Sequence, residues 1–91
     1  MYIESAILTF YVPQANSLKD KRKVCRSLLD KTRQRFNISI AEIATQDIHQ
    51  QLTIGIATIS GTAAHAKNSL NETIRFMETN ADAELTSIEI D

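Results

Sequence analysis

The sequence predicts an α+β domain, a four-stranded antiparallel sheet with two helices on one face, and three observations predict it. Apolar residues alternate with a period of two at the start of the chain. They recur at helical spacing in two separate stretches, 17–36 and 62–79. Runs rich in β-branched residues lie between and after those stretches. The resulting order is βαββαβ, two βαβ units of similar length over 1–45 and 52–90, which is the split βαβ of the ferredoxin-like sandwich. Ninety-one residues with two Gly and one Pro suit a single domain over 1–91 without a flexible linker.

Each element has its own signal. Tyr2, Ala6, Leu8, Phe10 and Val12 share one parity, and Ser5, Ile7, Thr9 and Tyr11 share the other, so residues 2–12 read as a strand ended by Pro13. Ser17 with Asp20 three residues later is a variant of the helix-opening capping box. Behind it, Leu18, Cys25, Leu28, Leu29, Thr32 and Phe36 mark the apolar arc of an amphipathic helix. Asn37–Thr45 (NISIAEIAT) and the uncharged Leu52–Ser60 (LTIGIATIS) read as paired strands. Ala63, Ala66, Leu70, Ile74 and Met77 mark the second helix, and Leu85–Ile90 closes the fold as an acid-rich strand. The topology makes the first and third strands central. The second is then an edge with one charge, no Lys and no Pro, open to pairing with another chain.

The near-zero net charge conceals a polarised molecule. Residues 17–36 hold eight Lys and Arg against Asp20 and Asp30, a net of +6, whereas the other residues hold two cations against nine acids, a net of −7. On a helical wheel Lys19, Arg22, Lys23, Arg26 and Arg33 fall within about 100° beside the apolar arc. Cations crowding the first turns oppose the helix dipole, so stability alone does not explain them. A helix N-terminus enriched in Lys and Arg suits phosphate, and RNA or the ribosome is the expected partner. The competing reading is a solvated face, with Asp30 pairing to Arg26 and Arg33 and Asp20 pairing to Lys23. Base stacking of the RRM type is not expected, because LTIGIATIS has no aromatic residue.

Catalytic machinery is not evident. Gln46, Asp47, His49 and Gln50 form a polar connection suited to ligand or partner contact, and Asp47 with His49 could pair as acid and imidazole, yet no nucleophile accompanies them. Neither His49 nor His65 has a second ligand at metal spacing, and Gly55 and Gly61 are too far apart to cradle a phosphate. No catalytic residue, metal or cofactor is therefore expected. Cys25 belongs to the apolar arc and reads as core, and Phe76 lies off the stripe of the second helix, as a partner contact or folded over the helix edge. No apolar run approaches the ~20 residues that span a bilayer. The lone cysteine and the opening on a strand-like segment fit a cytoplasmic protein.

SLKDKRKV (Ser17–Val24), RFNISIAEI (Arg35–Ile43) and QDIHQ (Gln46–Gln50), in this order and spacing, resemble the small bacterial YlxP-like family of uncharacterised proteins over essentially the whole chain. The resemblance implies the ferredoxin-like fold, a cytoplasmic bacterial setting and genes beside those for translation initiation and ribosome maturation. It implies no activity. The family pattern usually has Trp where this chain has His49. Two functions follow as expectations: a non-enzymatic RNA- or ribosome-associated module, or a self-associating protein that builds a homodimer with a small ligand at its interface, using the second-strand edge or a sheet face lined by Ile3, Ile7 and Ile88.

Overall fold

A computed structural model describes all of residues 1–91. The elements are β1 (Tyr2–Tyr11), α1 (Leu18–Arg35), β2 (Ser39–Ala44), β3 (Gln51–Ser60), α2 (Ala63–Asn80) and β4 (Glu84–Ile90). All strand pairs are antiparallel and the sheet order is β2-β3-β1-β4, so β1 and β3 are central as the topology requires. The fold is the predicted ferredoxin-like sandwich.

The parity of β1 decides which side chains meet the helices. Ala6, Leu8, Phe10 and Val12 are buried, and the register places Leu8 beside Ile54 and Ala6 beside Ile56, so the even positions of both central strands form the floor of the core. Leu28, Leu70, Ile74 and Met77 close that floor from the helices. At roughly 1.5–3 kcal/mol for each fully buried side chain, this layer is the main stabilising term. Phe76 takes the second of its two expected places. Its ring meets Phe36 edge to face, 5.4 Å between centroids at 70°, with the Arg35 guanidinium 5.5 Å above it.

Both helices are capped by hydroxyls. Ser17 Oγ accepts from the Asp20 amide at 3.1 Å, and Asp20 Oδ2 reaches back to the Asn16 amide at 3.0 Å, one residue earlier than the usual capping box. Thr62 Oγ1 accepts from the His65 amide in the same way. At the end of the sheet where α1 starts, three connections are laced together. The Val12 amide donates to Gln50 O, Gln50 Nε2 to Pro13 O, and Gln14 Nε2 to Asp82 O.

One expected placement is corrected. Ile88 pairs with Leu8 and therefore shares the helix side of the sheet, not the open side. It is still half exposed, because β4 is an edge and α2 lies over β1 and β3.

Candidate functional site

The inward face of α1 is set by Lys21, Cys25, Leu28 and Thr32, spaced four, three and four residues apart. Lys21 is the surprise. It belongs to the basic run by sequence but is completely buried. Its ammonium donates to the carbonyls of Thr45 (2.5 Å), Gln46 (3.2 Å) and Gln51 (3.3 Å), which uses all three N–H groups. Glu42 Oε2 lies 3.1 Å from the same nitrogen, buried and accepting no aligned hydrogen bond, so its contribution is charge neutralisation. Lys21 is thus closed to an external anion and is the hub joining the start of α1 to the β2–β3 connection.

That hub also holds a strained residue. Thr45 has φ 61°, in the left-handed region that β-branched residues avoid. Its carbonyl takes Lys21 Nζ and the Ile48 amide, and its hydroxyl lies 2.9 Å from that of Thr53. These contacts fix the path of Gln46–Gln50 beside the first turns of α1. The two candidate regions found in the sequence are therefore adjacent at one end of the molecule.

Lys19, Arg22, Lys23 and Arg26 are all exposed, and none has an acidic partner within 4.0 Å. Of the pairs in the competing solvated-face reading, Asp30–Arg26 and Asp20–Lys23 do not form; the Asp20 carboxylate is committed to the Asn16 amide instead. Arg33 differs from the rest. One of its nitrogens donates to the Ile40 carbonyl at 3.1 Å and the other stands 4.0 Å from Asp30, a half-exposed pair worth little. Between Arg22, Arg26 and Arg33 lies a shallow cleft of about 250 Å³, lined also by Cys25, Leu29 and the acids Asp30 and Glu42. From Lys19 to Arg33 the helix advances about 21 Å at 1.5 Å per residue, enough to follow several phosphates of one strand.

Cys25 sits in the core, as its place in the apolar arc requires. Burial pushes its thiol up from the usual 9.0, helped by the Glu42 carboxylate and opposed by Lys21 and Arg33. A thiol held protonated is a packing group, not a nucleophile.

In the connection, Gln46, Asp47 and His49 are exposed and Gln50 is partly buried through its bonds to Val12 and Pro13. No hydrogen bond or ion pair joins Asp47 to His49, so the acid–imidazole pair considered from the sequence is not assembled. No group of three or more His, Cys, Asp and Glu residues converges anywhere in the molecule.

The second uncovered surface is the open face of the sheet. Ile3, Ile7, Tyr11, Ile43 and Ile59 are exposed on it. Glu42 and Ala44 flank a bulge in the β2–β3 register, and the intervening Ile43 lies across Gly55, where a Cβ would meet its Cγ2 at 3.0 Å. This bulge and the Arg33 guanidinium on Ile40 O make the β2 edge less open to strand pairing than its composition implies.

The profile of a family described as "Protein of unknown function (DUF503)" matches residues 3–90 of the chain. A protein of Bacillus subtilis (strain 168) named "Uncharacterized protein YlxP" is 35% identical over 72 residues, which cover 79% of this chain and 78% of the relative. No helix is long and apolar enough to cross a membrane.

Proposed function

This chain belongs to the DUF503 family of proteins of unknown function, and from its surface we propose a non-enzymatic RNA- or ribosome-associated module that binds phosphates through α1. One observation carries the reading. Four of the five stripe cations, Lys19, Arg22, Lys23 and Arg26, are exposed and lack any acidic partner, so their charge is available to an external anion. Arg33, anchored on Ile40 O, extends the stripe to the far end of the helix. Backbone phosphates are the natural ligand of such a row, and recognition through them follows shape more than base sequence. Gln46–Gln50, fixed beside the N-terminal turns by Lys21, supplies amides and an imidazole for sugar or base edges.

The test replaces Arg22, Arg26 and Arg33 together by Gln, which keeps helix propensity and much of the side-chain stem. Wild-type binding to RNA or ribosomes should weaken with salt, at a slope of log K against log[salt] of about −2 to −5 for roughly three to five phosphate contacts. The folded variant should lose affinity and flatten that slope by about two to three units. An unchanged slope in a folded variant would return the stripe to a solvated helix face.

Self-association is the second reading, favoured by the five large apolar side chains left exposed on the open face of the sheet.

A further inference from the structure

We propose that the open face of the sheet is a homodimer interface, two copies packed sheet on sheet about a two-fold axis parallel to the strands. The proposal rests on the self-association reading and adds a face and a symmetry to it.

The face is built for an uncharged partner. Its positions on β1, β2 and β3 carry no acidic or basic residue. Ridges formed by Ile3 with Ile59 and by Ile7 with Ile43 flank a row of small side chains, Ser5, Ala57 and Ser39. This row floors a trough of about 500 Å³ that crosses all four strands. A polyanion finds no cation here, so this surface and α1 cannot share one ligand.

Charge then selects the symmetry. The acids of this face lie on one rim, where Glu89 pairs with Ile7 and Glu84 with Tyr11 on β4, and Asp91 closes the end of the trough. The opposite rim is β2, whose border carries Arg33, anchored on Ile40 O. A two-fold axis parallel to the strands and midway between β1 and β3 lays β4 of one copy over β2 of the other, bringing the acidic rim toward Arg33. An axis across the strands would stack β4 on β4, acid against acid, which is destabilising. An isologous contact also lets each apolar ridge meet the same ridge of its partner, crossed at the angle of about 30° that twisted sheets adopt.

The area is sufficient. Four strands about 4.8 Å apart and up to ten residues long at about 3.4 Å each give roughly 550 Å² of plane per copy, allowing for the shorter edges. Two copies therefore bury about 1,100 Å², just above the ~1,000 Å² expected of a specific interface. In such a dimer both α1 helices face outward on opposite sides.

Sedimentation velocity from 1 to 100 µM tests the interface. The wild type should be dimeric in the micromolar range, and Ile7→Lys should weaken the dimer by about 100-fold or more, since a charge at the centre of a desolvated patch acts as a hot-spot loss. Ile88→Lys, at a site more exposed than Ile7 but on the helix side, should leave it unchanged. If Ile7→Lys fails to fold by circular dichroism, Ile59→Lys on the same face replaces it. The symmetry is read with Ser5→Cys and Ala57→Cys, each in a Cys25→Ala background, and a short bismaleimide. The axis parallel to the strands places β1 over β3 of the partner, so the two variants mixed should crosslink faster than either alone. A wild type that stays monomeric throughout overturns both the self-association reading and this proposal. A dimer that survives both lysine variants keeps self-association and overturns this face. A dimer that the variants break, but in which the mixed thiols show no advantage, overturns the two-fold assigned here.

Discussion

Two surfaces of this protein are left uncovered by the rest of the chain, the outer face of α1 and the open face of the sheet, and they differ in kind. The first carries Lys19, Arg22, Lys23 and Arg26 without an acidic partner. The second carries no charge on three of its four strands and exposes Ile3, Ile7, Ile43 and Ile59. The sheet and its helix layer separate them, so a polyanion on one side leaves the other side free. A charge pattern that nearly cancels over the sequence is thus resolved by layer, and the net charge of −1 says nothing about either surface.

The largest expected effect tests whether Lys21 stands apart from its neighbours on α1. Lys21→Met leaves Glu42 without its counter-ion and takes one donor from each of three carbonyls, and should cost about 3–5 kcal/mol, the range for breaking a buried pair by removing one partner. Lys19→Met and Lys23→Met, at exposed positions, should stay within about 0.5 kcal/mol of the wild type. Urea denaturation measures all three, and Lys21→Met with Glu42→Gln should recover part of the loss. A neutral Lys21→Met would put Lys21 back among the solvated cations and sever the link between α1 and the β2–β3 connection.

A second test uses pH and the other buried group of α1. The Cys25 thiol holds its proton more tightly folded than unfolded, chiefly because burial disfavours the thiolate. The sign follows from linkage: this contribution is complete below the unfolded-state pKa and is lost as pH rises through the unfolded and then the folded value, so stability should fall above about pH 8.5–9. Cys25→Ala should remove that fall. Iodoacetamide at pH 8 should label Cys25 only on unfolding, and rapid labelling of the native protein would make the thiol part of the exposed surface.

Much of this architecture was legible in the chain. The alternation in residues 2–12 assigns Ala6, Leu8 and Phe10 to the core and Ile7 and Tyr11 to the other side, because a strand has only two faces. Lys21 was hidden by its company: it stands in LKDKRK, where every neighbour but Leu18 is charged. Its signal was positional, the spacing to Cys25, Leu28 and Thr32, and Glu42 shares the parity of buried Ile40 on the strand beneath. Periodicity read by hydrophobicity alone discards a lysine whose partner is distant in sequence. Ile88 was misplaced for a different reason. The shift between Thr9 and Phe10 in the β1–β4 register moves the residues of β4 by one position, which no pattern in LTSIEI announces. The Asp30–Arg26 and Asp20–Lys23 pairs failed because helical spacing permits such pairs without requiring them, and a capping carboxylate prefers a backbone amide.

A smaller effect is expected at Gly55, where the two uncovered surfaces should respond differently. A Cβ there would meet Ile43 Cγ2 at 3.0 Å, Cδ1 at 3.2 Å and Cγ1 at 3.7 Å, so its three nearest atoms all belong to one side chain. Ile43 is about half exposed, so it can swing outward. Gly55→Ala should therefore change stability by less than about 1 kcal/mol, the crowding offset by the better strand propensity of Ala. Because the displaced Ile43 alters the ridge beside Ile7, self-association should weaken by several-fold while anion binding by α1 is untouched. Equal losses in both assays would mean that the two surfaces are coupled through the sheet.

The smallest expected effect concerns Asp47 and His49, which lie at the end of the molecule where the α1 stripe begins. Neither makes a hydrogen bond or ion pair, and both are exposed, so Asp47→Asn and His49→Ala should each alter stability by no more than about 0.5 kcal/mol. Their influence belongs to binding. Removing the Asp47 carboxylate takes a negative charge from beside the stripe, so Asp47→Asn should strengthen RNA binding slightly at low salt, by about twofold, with the gain fading as added salt shortens the screening length. His49→Ala should weaken it if the imidazole touches the nucleic acid, since a hydrogen-bonding group is then lost from the contact. Filter binding at two salt concentrations separates these effects. Stability losses of several kcal/mol in either variant would show that the connection is a structural network tied to Lys21, and the extension of the binding surface beyond α1 would then be withdrawn.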